Sequence, residues 1–152
     1  ADPNVHCMPR GAPRIWTDDY YRRTYMTKDA LIILSERNMQ YRQIFLDGRP
    51  FPKDPNPTWN GYSVGHWDND TLVVKSFGFN DRTWILDGYP HTEALRVTEQ
   101  FRRPDFGHLK SAGRFKRNEL ASFWFEEGRL WGEWAANIQA PEPQRIETEE
   151  LD

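Results

Sequence analysis

Four side chains in the middle of the chain are of the types that proton transfer requires: Asp81, His91, Glu93 and Glu99. His91 stands two residues before Glu93 in a long irregular segment, and a histidine with a nearby carboxylate can act as a general acid and base. Glu99 falls on the apolar face of an alternating run, where burial disfavours a charged carboxylate unless a cation neutralises it. One hypothesis is therefore an acid–base enzyme that uses these four residues.

The same residues also support a structural interpretation. Arg42 or Arg82 would neutralise Glu99 inside the fold, because a bidentate arginine–carboxylate pair is a common internal brace. Asp81 would then cap a turn. The sequence favours this interpretation over catalysis, because the chain contains no nucleophile elbow, no SxxK motif and no phosphate-binding loop.

Seven tryptophans are the other feature that could bind a ligand. Three lie in the last predicted hairpin: Trp124, Trp131 and Trp134. Three more lie in the central stretch: Trp59, Trp67 and Trp84. The predicted ligand contacts are the three hairpin tryptophans with Arg42 and Arg82. A tryptophan-rich core is the alternative, since aromatic residues can supply the core of a small β domain. Trp124 and Trp131 flank a Glu-Gly turn and are predicted to pair across strands.

Neither a cofactor nor a metal site is predicted. The spacing of the four histidines matches no zinc pattern, and the single cysteine, Cys7, has no CxxC companion. The net charge of −3 and the scattered Lys and Arg residues argue against a nucleic-acid partner. The longest apolar run, Ala30–Leu34, has five residues, so the chain has no predicted transmembrane segment of its own.

Runs of β-prone residues separated by turn signals predict an all-β fold without a helix of ordinary length. The predicted strands are 20–27, 30–37, 40–46, 61–67, 71–77, 94–103, 109–116, 119–126 and 129–138. Tight turns between most of them favour a single antiparallel β-barrel or sandwich of eight or nine strands, and an up-and-down, calycin-like barrel is preferred. The predicted organisation is an extended N-terminal arm over 1–19, a β domain over 20–138 and an acidic C-terminal tail over 139–152.

The longest sequence pattern lies in the central stretch. Residues 47–65 read DGRPFPKDPNPTWNGYSVG, and the four prolines exclude a helix or a central strand over 47–59. The pattern continues with DTLVV at 70–74, GFNDRTW at 78–84 and PHTEALRVTE at 90–99. It resembles that of a family of uncharacterised bacterial proteins that are usually exported. The resemblance implies a periplasmic or extracellular location and no particular chemistry.

The preferred functional hypothesis is a non-enzymatic envelope domain. It would be an accessory or structural subunit that docks through its two arms on a protein partner, for example in a membrane-associated complex. The hypothesis rests on the lack of a catalytic motif and on two polar, proline-bearing ends, which are typical of segments that lie on a partner.

Two alternatives stay open. One is a β-barrel carrier of a small apolar ligand, which requires an internal cavity of roughly 300 Å³ or more lined by Trp and Phe. The other is a small enzyme with His91, Glu93 and Glu99 in acid–base roles, which requires these side chains to converge in one cleft.

Overall fold

The alternation of apolar and polar residues produces a chain built almost entirely of strands. The computed structural model describes residues 2–17, 20–86, 89–105, 109–118, 121–126 and 129–134. In chain order the strands are β1 Arg22–Met26, β2 Ala30–Ser35, β3 Gln40–Phe45, β4 Tyr62–Asp68, β5 Thr71–Phe77, β6 Trp84–Leu86, β7 Tyr89–Pro90, β8 Arg96–Arg102, β9 Lys110–Asn118, β10 Ala121–Glu126 and β11 Arg129–Trp134. Short 3-10 turns occupy Pro3–His6, Arg14–Thr17 and Arg37–Met39. The prediction of a mostly β protein is confirmed.

One large sheet contains nine of these strands in the order β1-β2-β3-β4-β5-β8-β9-β10-β11, while β6 and β7 pair separately. All neighbours in the large sheet are antiparallel except β3 and β4, which pair in parallel at Ile44–Ser63 and Phe45–Val64. The prediction of a purely antiparallel sheet is wrong at this joint. A parallel pair needs a connection of about a dozen residues or more, and the proline-rich stretch between β3 and β4 supplies it.

The predicted central hairpin is confirmed. Strands β4 and β5 pair along their whole length, from Tyr62 opposite Phe77 to Asp68 opposite Thr71. Between them, Asn69 has a φ of 54°. Asparagine tolerates this left-handed conformation because its short polar side chain can hydrogen-bond locally, so the turn residues suit the geometry of the hairpin.

The large sheet is curved, because Arg42 on β3 directly contacts Glu99 on β8 across the two strands between them. Leu31 on β2 and Phe101 on β8 belong to the same buried cluster, although β3, β4 and β5 lie between them. In a flat sheet, four strand spacings would separate them by about 19 Å. The other buried members of the cluster are Ile33, Ile44, Leu72 and Val74. The side of the sheet that carries this cluster is termed the inner face.

The proline-rich stretch covers part of the opposite, outer face. Its Phe51 contacts Phe77 of β5 edge-on, with ring centroids 4.8 Å apart, and Phe45 stacks on Tyr62 at 5.1 Å. The Arg49 guanidinium lies 3.8 Å from the centre of the Phe45 ring. These contacts between aromatic rings and a cation hold the long connection against the sheet that it bridges.

The N-terminal segment 2–17, predicted as an extended arm, contains two 3-10 turns and packs against its own domain. Arg14 is buried, and its guanidinium Nη1 donates to Asp2 Oδ1 at 2.8 Å. The backbone N–H of Ala12 donates to the carbonyl of Trp59 at 3.2 Å. The ion pair holds the segment's own two ends together, whereas the Ala12–Trp59 bond and a hydrogen bond from Thr83 Oγ1 to the carbonyl of Arg10 at 2.6 Å fasten it to the domain.

Gly11 allows this close approach, and Gly48 provides a matched control. Both have a positive φ, +67° and +76°, but a Cβ at Gly11 would stand 2.2 Å from the carbonyl oxygen of Trp59, whereas one at Gly48 would meet nothing within 4 Å. We expect Gly48→Ala to lower the free energy of unfolding by about 1 kcal/mol through backbone strain alone. Gly11→Ala should cost about 2 kcal/mol more, measured by urea denaturation. Equal losses would contradict the docking of the N-terminal segment on Trp59.

Candidate functional site

Four neighbouring strands each place one polar side chain in a buried cluster on the inner face. They are Arg42 of β3, Ser63 of β4, Ser76 of β5 and Glu99 of β8, and each is at most 4% exposed. Arg42 Nη1 donates to Glu99 Oε1 at 2.9 Å, and Arg42 Nη2 donates to Glu99 Oε2. Arg42 Nη2 also donates to Ser76 Oγ at 2.9 Å, and the Oγ atoms of Ser63 and Ser76 are 2.8 Å apart. This cluster is termed the Arg42–Glu99 brace.

The brace accounts for the acidic residue on the apolar face of β8. Alternation places Glu99 between the buried Val97 and Phe101, so its charge must be neutralised inside the protein. One guanidinium binds both carboxylate oxygens, the geometry in which arginine pairs most strongly. The prediction that an arginine neutralises Glu99 is confirmed for Arg42, while Arg82 is exposed on a loop.

The four predicted acid–base residues lie in different environments. Glu99 is held in the brace. His91 is buried, and its ring meets Phe79 edge-on with centroids 6.3 Å apart. Asp81 and Glu93 are exposed to solvent. The enzyme hypothesis requires His91, Glu93 and Glu99, or two of them with Asp81, to converge in one cleft, and it stays a prediction.

The turn that contains Asp81 is capped by its neighbour. Asn80 Oδ1 accepts a hydrogen bond from the backbone N–H of Arg82 at 3.1 Å, so Asn80 takes the capping role that the sequence suggested for Asp81. Asparagine and aspartate both form such turns with the backbone two residues on, and the sequence pattern alone does not separate them.

The predicted tryptophan contacts lie on the last two strands. Trp124 on β10 is directly opposite Trp131 on β11 in the backbone register, as predicted for a cross-strand pair, and Trp134 is opposite Ala121. The surroundings of these side chains lie outside what the structure describes. Their predicted role in ligand binding therefore stays a prediction.

An open cavity of about 750 Å³ lies at one end of the inner face. Its apolar lining residues are Met26, Leu31, Ile33, Trp67, Leu72, Phe101 and Leu109. Leu72 and Phe101 also belong to the buried core, whereas Trp67 is 52% exposed and Leu109 is 66% exposed. The cavity therefore runs from a buried apolar floor to an exposed mouth.

Charged residues stand among the lining of this cavity. Asp70 accepts a hydrogen bond from Arg102 Nε at 2.8 Å, and this bond holds the pKa of Asp70 below its usual range. Both side chains are more than half exposed, so the pair adds little to stability. Arg103 also lines the cavity and is exposed. At neutral pH the mouth therefore carries charges of both signs beside apolar walls.

Sequence reasoning found only part of this cavity. Trp67 is one of the central tryptophans that could bind a ligand, but no ligand contact is predicted from the sequence for the aliphatic residues Leu31, Ile33 and Leu72, which line the cavity beside it. The feature that marks the cavity is a set of apolar side chains that the structure leaves exposed: Met26, Trp67 and Leu109. Exposed apolar residues indicate a binding site only when the fold places them next to one another.

Within the described ranges, no group of three or more His, Cys, Asp or Glu residues is arranged to hold a metal ion. In the same part of the chain, no helix has the length and apolar character needed to cross a bilayer.

No protein family, curated protein or solved structure matches the chain. The resemblance to exported bacterial proteins therefore stays a prediction. The function has to be argued from the geometry of the brace and the cavity.

From the burial of the Arg42–Glu99 brace we predict how its loss changes the free energy of unfolding. Arg42→Met or Glu99→Leu alone leaves one uncompensated buried charge and should lower the free energy of unfolding by about 3–5 kcal/mol. The double variant should recover most of this loss, because replacing a whole buried pair with apolar residues is often neutral. Urea denaturation of the two single variants and the double variant measures the coupling.

The exposed pair Asp70–Arg102 is the matched control for this cycle. Asp70→Leu and Arg102→Met should each change stability little, because that pair lies in solvent. A Glu99→Leu effect no larger than these would contradict the buried brace. So would a double variant that loses the full sum of the two single effects.

Proposed function

We propose that the protein is a carrier of a small apolar or amphipathic molecule, which binds in the cavity of the inner face. The supporting observation is the size and lining of that cavity. Its volume of about 750 Å³ lies within the roughly 300–1,000 Å³ that small-molecule sites occupy. Trp67 and Phe101 are among its walls, and displacing water from such surfaces provides the driving force for binding.

We also propose that the sheet continues its curl into a calycin-like barrel. The contact between Arg42 on β3 and Glu99 on β8 supports this, because a direct contact across three strand spacings requires the sheet to curve. A barrel of about eight strands has an interior just wide enough for side chains or for one small ligand. In such a barrel, the brace would fill part of the interior and the cavity would be the part left to the ligand.

The polarity of the cavity suggests how a ligand would be oriented. Leu72 and Phe101 are at most 9% exposed and form the floor, while Asp70 and Arg103 are exposed. An apolar group would lie against the floor, where burial contributes roughly 25 cal/mol per Å². A polar group would remain near the charged mouth, where water and the charged side chains can satisfy it.

An envelope location is part of the proposal. The resemblance to exported bacterial proteins supports a periplasmic or extracellular site of action, and an apolar molecule needs a carrier to cross an aqueous compartment. We do not extend the proposal to catalysis, because Glu99 is engaged by Arg42 in the brace and Asp81 and Glu93 are exposed to solvent.

Titration with a neutral fluorescent apolar probe, N-phenyl-1-naphthylamine, tests the carrier function. We expect saturable binding with a Kd in the micromolar range, since a ligand of this size gains about 0.3–0.5 kcal/mol per non-hydrogen atom. Thr24→Phe, on a wall of the cavity, should weaken binding at least about tenfold by filling the site, which corresponds to about 1.4 kcal/mol.

Arg23→Phe is the matched control, because residue 23 lies on the same strand but its side chain alternates to the other face. It should leave the Kd unchanged within about twofold. Absence of saturable binding by the wild-type protein would contradict the carrier function. Equal effects of the two substitutions would contradict the assignment of the site.

The accessory role is a second proposal. Of the two terminal segments of the chain, only the C-terminal tail still supports it. The N-terminal segment packs on its own domain, so docking would depend on the tail 139–152, which lies outside the described residues. The supporting observation is the composition of that tail, which is acidic and contains two prolines among few apolar residues.

Deleting 139–152 tests the accessory role. We expect the deletion to abolish association with the native envelope assembly, because the tail has the polar composition of a segment that orders on a partner. The melting temperature should stay within a few degrees of the full chain, since the tail contributes few core residues. Association that survives the deletion unchanged would exclude this role, and a large loss in melting temperature would make the tail part of the domain.

A further inference from the structure

A second, much smaller cavity lies at the end of β2 opposite to the apolar one. It has a volume of about 10 Å³ and is lined by residues of the N-terminal segment, β1, β2, β3 and the loop before β4. Three of its polar atoms are enclosed and have no hydrogen-bond partner within the described part of the chain: Ser35 Oγ, Gln40 Oε1 and Asn60 Oδ1. Two are amide oxygens, which only accept hydrogen bonds, and the third belongs to a hydroxyl, which also donates.

We infer that this cavity is the binding site of one ordered water molecule that bridges Ser35, Gln40 and Asn60. Its volume is about that of one water-sized sphere. A water molecule would donate its two hydrogens to Gln40 Oε1 and Asn60 Oδ1 and accept one from the hydroxyl of Ser35. Buried waters typically make about three hydrogen bonds, and leaving three enclosed polar atoms unsatisfied would cost the fold heavily.

The orientation of Asn60 is fixed by a contact outside the cavity. Its Nδ2 donates to the backbone carbonyl of Tyr41 at 3.0 Å. The amide therefore cannot turn over without losing this bond, and its oxygen remains the atom that is offered to the cavity. The same contact ties the loop before β4 to β3.

The lining also selects a neutral molecule over an ion. Arg22 and Arg42 both line the cavity; Glu99 neutralises Arg42, and a cation would meet the positive charge of Arg22 at short range. An anion would be attracted by Arg22 but repelled by the two amide oxygens of Gln40 and Asn60, which cannot donate to it. Water can donate and accept at once, and it meets neither conflict.

This water goes beyond the carrier function and involves a different part of the inner face. It would connect the last residue of β2, the first residue of β3 and the loop before β4, beneath Ile15 of the N-terminal segment. Ile15 is buried and forms one wall. The N-terminal segment would therefore seal the water site, and the water would become a fixed part of the packing that holds that segment.

A crystal structure of the full chain, at a resolution that shows individual waters, tests the inference. We expect one solvent peak within about 2.7–3.2 Å of Ser35 Oγ, Gln40 Oε1 and Asn60 Oδ1. A cavity without a peak would overturn the inference. So would a peak that anomalous scattering identifies as an ion, or three polar atoms that bond one another directly.

Oxygen-17 relaxation dispersion provides the solution test, since it counts water molecules with long residence times. Gln40→Leu should remove one such water, whereas Gln43→Leu, on the same strand but exposed, should remove none. Ser35→Ala serves if Gln40→Leu does not fold; it deletes one of three bonds and should shorten the residence time at least about tenfold. An unchanged residence time in Ser35→Ala, or the same loss in both glutamine variants, would overturn the inference.

Discussion

The buried ion pair between Arg42 and Glu99 is the contact on which the shape of the sheet depends. It joins β3 to β8, and in a flat sheet these strands would be about 14 Å apart, three strand spacings. A direct bidentate contact between their side chains therefore requires the sheet to be curved. Ser63 and Ser76, on the two strands between them, fill the remaining space and accept from Arg42 Nε and Nη2, respectively.

We interpret the brace as a device that fixes register. Burying two charges is costly, and a pair of apolar residues of similar volume is often at least as stable. A bidentate pair is geometrically specific, however, because two parallel N–H···O bonds must form together, so the pair favours one relation of β3 and β8. This constraint matters where the sheet contains a parallel joint, because only two residue pairs, Ile44–Ser63 and Phe45–Val64, connect β3 to β4.

Local features of the sequence were enough to predict the strands but not their arrangement. The run 71–77 was predicted as a strand and is β5, because strand formation follows from alternation and turn residues in its own neighbourhood. The parallel joint was not predictable in this way, since its direction depends on where the proline-rich connection leads. The presence of a charged partner for Glu99 followed from its apolar surroundings, but the choice of Arg42 over Arg82 depends on the topology. The cavity brings together regions about seventy residues apart, since Leu31 and Phe101 both line it.

The central claim is that the curvature fixed by the brace leaves an apolar cavity for a ligand. A crystal structure of the protein with saturating N-phenyl-1-naphthylamine tests it most directly. The account predicts density for the probe on the inner face, in contact with Trp67 and Phe101, beside an intact Arg42–Glu99 pair. A cavity occupied by the protein's own side chains, with the probe elsewhere or absent, would contradict it.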